Sequence, residues 1–169
     1  MTFNVLRETS TVGCLAGDSP GRYLVNASAP PGWFRHETLL NGKVIPDEII
    51  TLESAELTGL VLKFGQTTNH IMGTVTDASG APDPTAAIVV FPADTTAWRE
   101  GLSQFSSRRI RKTLATSSGA FDVSSMAPGE YHVVAITARL APNWSEPSLL
   151  EKLVAGATKV AIGAQETKT

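Results

Sequence analysis

Acidic side chains in loop-forming segments are the first candidates for chemistry in this sequence. Asp77, Asp83 and Asp94 each stand in or beside a stretch rich in glycine, proline, serine or threonine. Calcium takes hard oxygen ligands from flexible loops, so these carboxylates are the predicted metal ligands and calcium is the candidate cofactor. The spacing from Asp77 to Asp83 is not that of an EF-hand loop. Aspartate also suits turns because it bonds its own backbone, so turn formation stays open as the alternative.

Histidine is the second candidate, because its side chain can gain or lose a proton near neutral pH. His70 and His132 are the predicted catalytic residues, as groups that would activate water against an ester or lactone. Together with His36 they are too widely spaced to match a zinc-binding motif. His132 follows Tyr131 on a predicted strand, so their side chains are expected on opposite faces. Ordinary surface or boundary histidines are the alternative interpretation.

A basic cluster, Arg-Arg-Ile-Arg-Lys, occupies residues 108–112. On a strand, Arg109 and Arg111 would share one face, with Arg108 and Lys112 on the other. A solvated strand that discourages pairing at a sheet edge is the favoured interpretation. A site for an anion or carboxylate is the alternative.

Three tryptophans, Trp33, Trp98 and Trp144, are spread along the chain. Stacked rings suit the faces of sugars, so they suggest a carbohydrate-binding platform. Aromatic side chains more often fill a core, and that alternative stays open.

Composition limits the classes of partner. The formal net charge is −2 over 169 residues, which gives no reason to expect nucleic acid or an anionic membrane surface. No apolar run is long enough to span a bilayer, and the N-terminal residues lack the apolar stretch of a signal peptide. The sequence is therefore predicted to be soluble, and its single cysteine, Cys14, excludes an internal disulfide.

The elements that must position these side chains are short β-type runs separated by Gly/Pro turns. This rhythm predicts a mainly β protein, an antiparallel β-sandwich with one short helix, preceded by a partial second β-sandwich unit. The units are predicted at 1–66, with residues 1–20 irregular, and at 67–169. The predicted strands are Arg22–Ala27, Trp33–Leu40, Leu57–Phe64, Ile71–Thr76, Ala87–Phe91, Arg108–Ala115, Ala120–Val123, Tyr131–Ala138 and Thr158–Ile162.

Local signals refine this pattern at two places. Asn41-Gly42 is the strongest hairpin turn in the sequence. Ser148 and Glu151 have the spacing of a capping box, and leucines follow at helical spacing, which predicts a helix over Ser148–Ala155.

Residues 68–166 resemble the carboxypeptidase regulatory-like domains of bacterial multidomain proteins, which are β-sandwiches of transthyretin or immunoglobulin type. The segments that carry the resemblance are Ile71–Gly80 (IMGTVTDASG), Ile88–Pro92 (IVVFP), Gly119–Phe121 (GAF), Ala127–Tyr131 (APGEY) and Val133–Ala135 (VVA). Their physical roles are simple. Gly73 allows a close approach of backbone, the Asp77–Gly80 segment turns a hairpin, and Tyr131 places its ring in the core.

The resemblance implies a non-catalytic spacer or binding module from a larger protein, in a family whose members are typically periplasmic or secreted. Such domains usually add one more strand beyond the point where this sequence ends. An open sheet edge, through which two copies could associate, is therefore expected.

Two other functions remain as hypotheses. The transthyretin-like architecture includes hydrolases, so one alternative is a small calcium-assisted hydrolase that opens lactones or esters such as N-acyl-homoserine lactones, a quorum-quenching activity. The other is a carbohydrate-binding module. A small-molecule or sugar ligand is thus a candidate partner in each case.

Overall fold

The chain divides between Thr68 and Asn69 into two structural units. The structure is a computed structural model that describes residues 10–16, 20–25, 27–45, 48–53, 56–99, 108–137 and 139–169. In these ranges the protein is mainly β, with antiparallel sheets, one short helix of seven residues and one helical turn of four residues. The predicted fold class is confirmed at this level.

The described part of the first unit holds six strands in two sheets. They are β1 (Ser10–Ala16), β2 (Gly21–Leu24), β3 (Phe34–Leu40), β4 (Lys43–Val44), β5 (Ile49–Leu52) and β6 (Glu56–Gly65). One antiparallel sheet has the order β1-β6-β3-β4, and β2 pairs with β5 in the other. The predicted Asn41-Gly42 turn is confirmed: both residues have positive φ angles, 51° and 78°, as a type I′ turn requires.

Strand β1 differs from the prediction that residues 1–20 are irregular. Ser10–Ala16 pairs along β6, with one register shift between Gly13 and Leu15. The segment is interrupted by a glycine, so its local β preference is weak, and pairing with the long strand β6 overrides it. Residues 1–9 and 17–19 lie outside the described residues.

A buried ion pair lies within the first unit. Arg35 Nη2 donates to Glu48 Oε2 at 2.6 Å, and the two side chains are only 9% and 4% exposed. Arg35 also donates to the carbonyl of Val25, and the Thr38 hydroxyl bonds the other Glu48 oxygen. Because removing one charge would leave the other buried without its partner, this pair constrains how the β3 strand meets the segment before β5.

The described part of the second unit contains seven strands and two helices. They are β7 (His70–Thr74), β8 (Ala87–Pro92), α1 (Thr96–Arg99), β9 (Arg111–Leu114), β10 (Ala120–Ser124), β11 (Gly129–Ile136), α2 (Pro147–Leu153), β12 (Thr158–Ile162) and β13 (Thr167–Lys168). One sheet has the order β10-β7-β13 and the other β12-β11-β8-β9. All pairs are antiparallel except β13 with β7, which is parallel.

Strand β8 is buried on both faces and organises the second unit. Its even-numbered residues face a layer shared by the two sheets, which consists of Ile71, Ile88, Val90, Val123, Met126, Tyr131 and Ile162. Its odd-numbered residues face a second layer, Ala87, Val89, Phe91, Trp98, Ile110, Ile136 and Leu150. A strand covered on both sides must be apolar throughout, which is why Ile88–Pro92 reads IVVFP.

The predicted helix is present with a different start. It covers Pro147–Leu153, with Pro147 in the first turn and Glu146 as N-cap residue, whose side chain makes no capping hydrogen bond. Proline fits the first helical turn because its missing N–H has no intrahelical partner there, and this places the helix start before the predicted capping box. Leu150 carries the apolar face of α2 into the second layer.

Asn69 ties three segments of the second unit together. Its side chain is fully buried and donates to the carbonyls of Met126 at 2.9 Å and Gly163 at 2.8 Å. Its side-chain oxygen accepts from the Met126 N–H at 2.9 Å. The start of β7, the β10–β11 connection and the β12–β13 connection are thereby held at one point.

We expect Asn69→Ala to lower the free energy of unfolding by about 2–4 kcal/mol, because the Met126 N–H and the Gly163 carbonyl lose their buried partner. Urea denaturation followed by tryptophan fluorescence measures this. Asn143→Ala, at an exposed position, is the control and should change stability by less than about 0.5 kcal/mol. Equal stability of the two variants would contradict the role of Asn69.

Candidate functional site

His70 is paired with a carboxylate on the outer face of the three-stranded sheet. Its Nδ1 lies 2.9 Å from both carboxylate oxygens of Asp122, and both side chains are partly exposed. Since Ile71 and Val123 point into the shared core layer, their neighbours His70, Asp122 and Ser124 lie on the opposite, outer face. Ser124 is the direct cross-strand partner of His70.

His132 lies on the face of the four-stranded sheet that is turned away from the shared core layer and that carries the second layer. Its ring packs against Phe91, with 5.3 Å between ring centroids, while Tyr131 points into the shared core. The predicted opposition of His132 and Tyr131 is therefore confirmed. The two predicted catalytic histidines, His70 and His132, face away from each other across the unit and do not form one site.

The three predicted metal ligands each cap a local turn. Asp77 Oδ1 accepts from the Ser79 hydroxyl and N–H and from the Ala81 N–H. Asp83 accepts from the hydroxyl and N–H of Thr85. Asp94 accepts in the same way from Thr96. These are the turn contacts that the sequence left open as the alternative to calcium ligation.

These hydrogen bonds favour the ionised carboxylates. The Ser79 hydroxyl lowers the pKa of Asp77, with further help from the Ser79 and Ala81 N–H groups. Hydroxyl bonds from Thr85 and Thr96 lower the pKa of Asp83 and of Asp94 in the same way. Among the described residues, no three His, Cys, Asp or Glu side chains come together as metal ligands. Asp77, Asp83 and Asp94 thus do not converge on one ion.

The prediction of a solvated strand over the basic cluster is wrong for residues 108–110. The strand there covers only Arg111–Leu114, and residues 108–110 turn inward. Arg108 donates to the carbonyls of Ser125 and Met126, and the buried Arg109 side chain lies 5.8 Å from the centroid of the Tyr131 ring. Arg109 is therefore part of the interior and not of a solvated strand face. The residues that bind these two guanidinium groups belong to later segments of the chain, so the local sequence does not reveal them.

The tryptophans do not form one exposed platform. Trp98 is fully buried, stacks edge-on against Phe91 at 6.0 Å, and donates its Nε1–H to the Pro92 carbonyl. Trp144 is partly buried, with the Lys112 ammonium 5.6 Å from its ring centroid. Trp98 cannot contact a sugar in this arrangement.

A groove of about 700 Å³ opens between the two sheets of the second unit. Its walls are β7 and the loop start after it, at residues 71–76, and β12, at residues 158–161. Ile88 and Val133 line it from the four-stranded sheet, and the chain end at Lys168 and Thr169 lies at its margin. Strand β12 is the last strand of its sheet, and β13 covers β7 only at His70 and Ile71.

The sequence predicts an open sheet edge but not the groove itself. The resemblance predicts an open sheet edge, but two strands distant in sequence, β7 and β12, have to lie side by side before that edge becomes a concave surface. Asn69, which positions β7 against the β12–β13 connection, carries no sequence signal of its own, because a single asparagine before a strand is ordinary.

No helix in the described ranges is long and apolar enough to cross a membrane. Comparison of the chain with protein-family models, with curated proteins and with solved structures finds no match.

The lowered pKa values predict how the turns respond to acid. A carboxyl whose pKa is depressed on folding contributes stability above its unfolded pKa and loses it as pH falls through the folded value. We expect carbon-13 carboxyl titrations of Asp77, Asp83 and Asp94 to have midpoints below the usual 3.8.

Ser79→Ala should raise the Asp77 midpoint toward 3.8 and leave that of Asp94 unchanged. The unchanged Asp94 value serves as the internal control. An Asp77 midpoint that does not move would show that the Ser79 hydroxyl is not what stabilises the carboxylate.

Proposed function

We propose that the second unit is a non-catalytic binding module, a β-sandwich of transthyretin or immunoglobulin type that belongs with the carboxypeptidase regulatory-like domains. The groove between β7 and β12 is its binding surface. By the same resemblance, the module derives from a larger secreted or periplasmic bacterial protein.

The packing of the motif residues supports the sandwich. The two sheets share one core layer, and Tyr131 is fully buried in it. A Cβ on Gly73 would lie 2.8 Å from the Phe121 ring, so the glycine permits the close contact of β7 with β10. Gly80, with φ of 84°, closes the turn that begins at Asp77.

The groove is the observation that carries the binding function. Its volume of about 700 Å³ falls in the size range of ligand sites. The apolar side chains of Ile71, Ile88 and Val133 line its floor, and threonines and lysines stand at its margins. The side chains proposed for catalysis or metal binding have structural contacts of their own, whereas the groove has no occupant among the described residues.

Blocking the groove should abolish binding of an apolar probe. Thr158 is exposed, lines the groove, and is in register with the inward-facing Val133, so Thr158→Trp places an indole in it. We expect 8-anilinonaphthalene-1-sulfonate to bind the unmodified chain saturably and to bind Thr158→Trp at least about tenfold more weakly in a fluorescence titration.

Leu114→Trp is the matched control. Leu114 is 65% exposed on β9, at the opposite edge of the same sheet. This variant should bind the dye as the unmodified chain does. Equal dye binding by the two tryptophan variants would contradict a binding groove between β7 and β12.

A hydrolase is the second candidate, and the His70–Asp122 pair favours it. A carboxylate that accepts from one imidazole nitrogen orients the ring so that the other nitrogen can act as a base. Ser124 opposite His70 supplies a hydroxyl on the same face, although no hydrogen bond joins these two residues in the described part of the chain.

The hydrolase predicts turnover that depends on this pair. N-acyl-homoserine lactones and p-nitrophenyl esters should be hydrolysed by the full chain, with a loss of at least about a hundredfold in His70→Ala and less in Asp122→Asn. His36→Ala, whose imidazole bonds the Thr67 carbonyl, is the control. Loss of activity on chelation would support calcium assistance, and turnover unchanged in His70→Ala would exclude this site.

A further inference from the structure

We propose that the groove binds an extended polypeptide strand of a partner protein, which pairs with β7 in line with β13. This inference rests on the proposed function of the groove as a binding surface, and it names the class of ligand. The addition of a strand to a sheet edge is a general mode of peptide recognition.

Strand β13 already shows the pairing that the partner would continue. Thr167 and Lys168 lie in parallel register with His70 and Ile71, and the His70 N–H donates to the Glu166 carbonyl at 2.9 Å. The pairing ends there, while β7 runs on to Thr74. Three residues of β7, 72–74, therefore have no strand partner on this side among the described residues.

The backbone of β7 presents its hydrogen-bonding groups to the groove. Successive residues of a strand direct their N–H and C=O groups to alternate edges. The His70 N–H points to the β13 side, and the Val75 N–H points the other way, to the Gly119 carbonyl. The Thr74 N–H and carbonyl therefore point to the groove side. A strand satisfies such groups, whereas a purely apolar small molecule would bury them without partners.

The side chains of the groove define the pattern of the peptide. Lys168 is in register with the inward-facing Ile71, and register partners in a parallel pair point to the same face. The next inward positions of an added strand would stand beside Gly73 and Val75. The Phe121 ring already lies over Gly73, so an apolar side chain at the neighbouring inward position would pack against that ring. The side chains at the outward positions of the added strand would lie on the outer face of the sheet with His70 and Asp122, so we expect polar residues at these positions.

The occupant is thus an extended segment with apolar residues at every second position and polar residues between them. Its inward side chains would cover Ile88 and Val133 at the open margin of the shared core. The peptide would continue the edge of the three-stranded sheet beyond β13, along residues 72–74 of β7.

The test appends a strand to the full chain and varies only its phase. Val-Lys-Val-Glu-Val-Thr placed directly after Thr169 puts valine at each inward position, and Lys-Val-Glu-Val-Thr-Val has the same composition in the opposite phase. A shift of one residue moves every valine to the polar face. The first extension should raise Tm of the second unit by about 5 °C. It should also slow amide exchange of Thr74 at least about tenfold. The second extension should do neither.

A free peptide tests binding between molecules. Fluorescein-labelled Val-Lys-Val-Glu-Val-Thr should bind the unmodified chain and the chain with the phase-shifted extension. It should bind at least about tenfold more weakly to Thr158→Trp and to the chain with the in-phase extension, whose groove is filled.

Other results overturn the proposal in distinguishable ways. Equal effects of the two extensions, or peptide binding that Thr158→Trp leaves unchanged, would exclude strand addition at this edge. Dye binding in the groove without peptide binding would exclude the peptide and leave the proposed function standing, whereas absence of both would remove the proposed function too. Self-association of the unmodified chain in sedimentation, abolished by Thr158→Trp, would replace the partner peptide with a second copy.

Discussion

The side chain of Asn69 forms the contact on which the second unit depends. Its amide donates to two carbonyls and accepts one N–H, all within 2.9 Å, at a position with no exposure to solvent. Met126 and Gly163 belong to different connections, so this one amide sets where β11 and β13 begin relative to β7. A buried amide with every hydrogen bond made is specific, because any shift of the segments leaves a polar group unpaired.

Strand β8 is covered on both faces. The shared layer under Tyr131 and the second layer under Trp98 leave β8 without contact to solvent. Several polar side chains that the sequence suggests for catalysis or ligand binding instead stabilise this packing. Arg108 bonds the connection that Asn69 holds, and Asp77, Asp83 and Asp94 form the turns that return the chain between elements.

Beyond β13, the edge of β7 next to β12 has no strand partner among the described residues. Exposed backbone groups on a sheet edge favour pairing with another strand, and proteins usually cover or charge such edges. At β7 and β12 the edges of two sheets lie next to each other, with Lys159 and Lys168 near the margin and each paired to a glutamate. The proposed binding surface is therefore formed by the same strand edges that proteins usually cover.

The sequence by itself determined the local elements of the second unit. The bounds of β8, β10 and β12 agree with the prediction to within one residue, because β-branched runs between Gly and Asp turns leave few alternatives. It also determined the close approach at Gly73 and the face on which Tyr131 lies. Strand β1 was missed because its β structure comes from pairing with β6 and not from its own residues.

Only the tertiary structure decided which of the candidate residues meet. His70 and His132 are both on strands, yet they lie on opposite sides of the shared core layer. His70 and Asp122 meet across two neighbouring strands although they are 52 residues apart in sequence. Arg109 and Trp98 turned inward because their partners, Tyr131 and Phe91, are supplied by other elements. The alternation of residues along a strand shows which side chains share a face of that strand. A site or a groove also requires side chains from two strands at a suitable separation, and the packing of the sheets sets that separation.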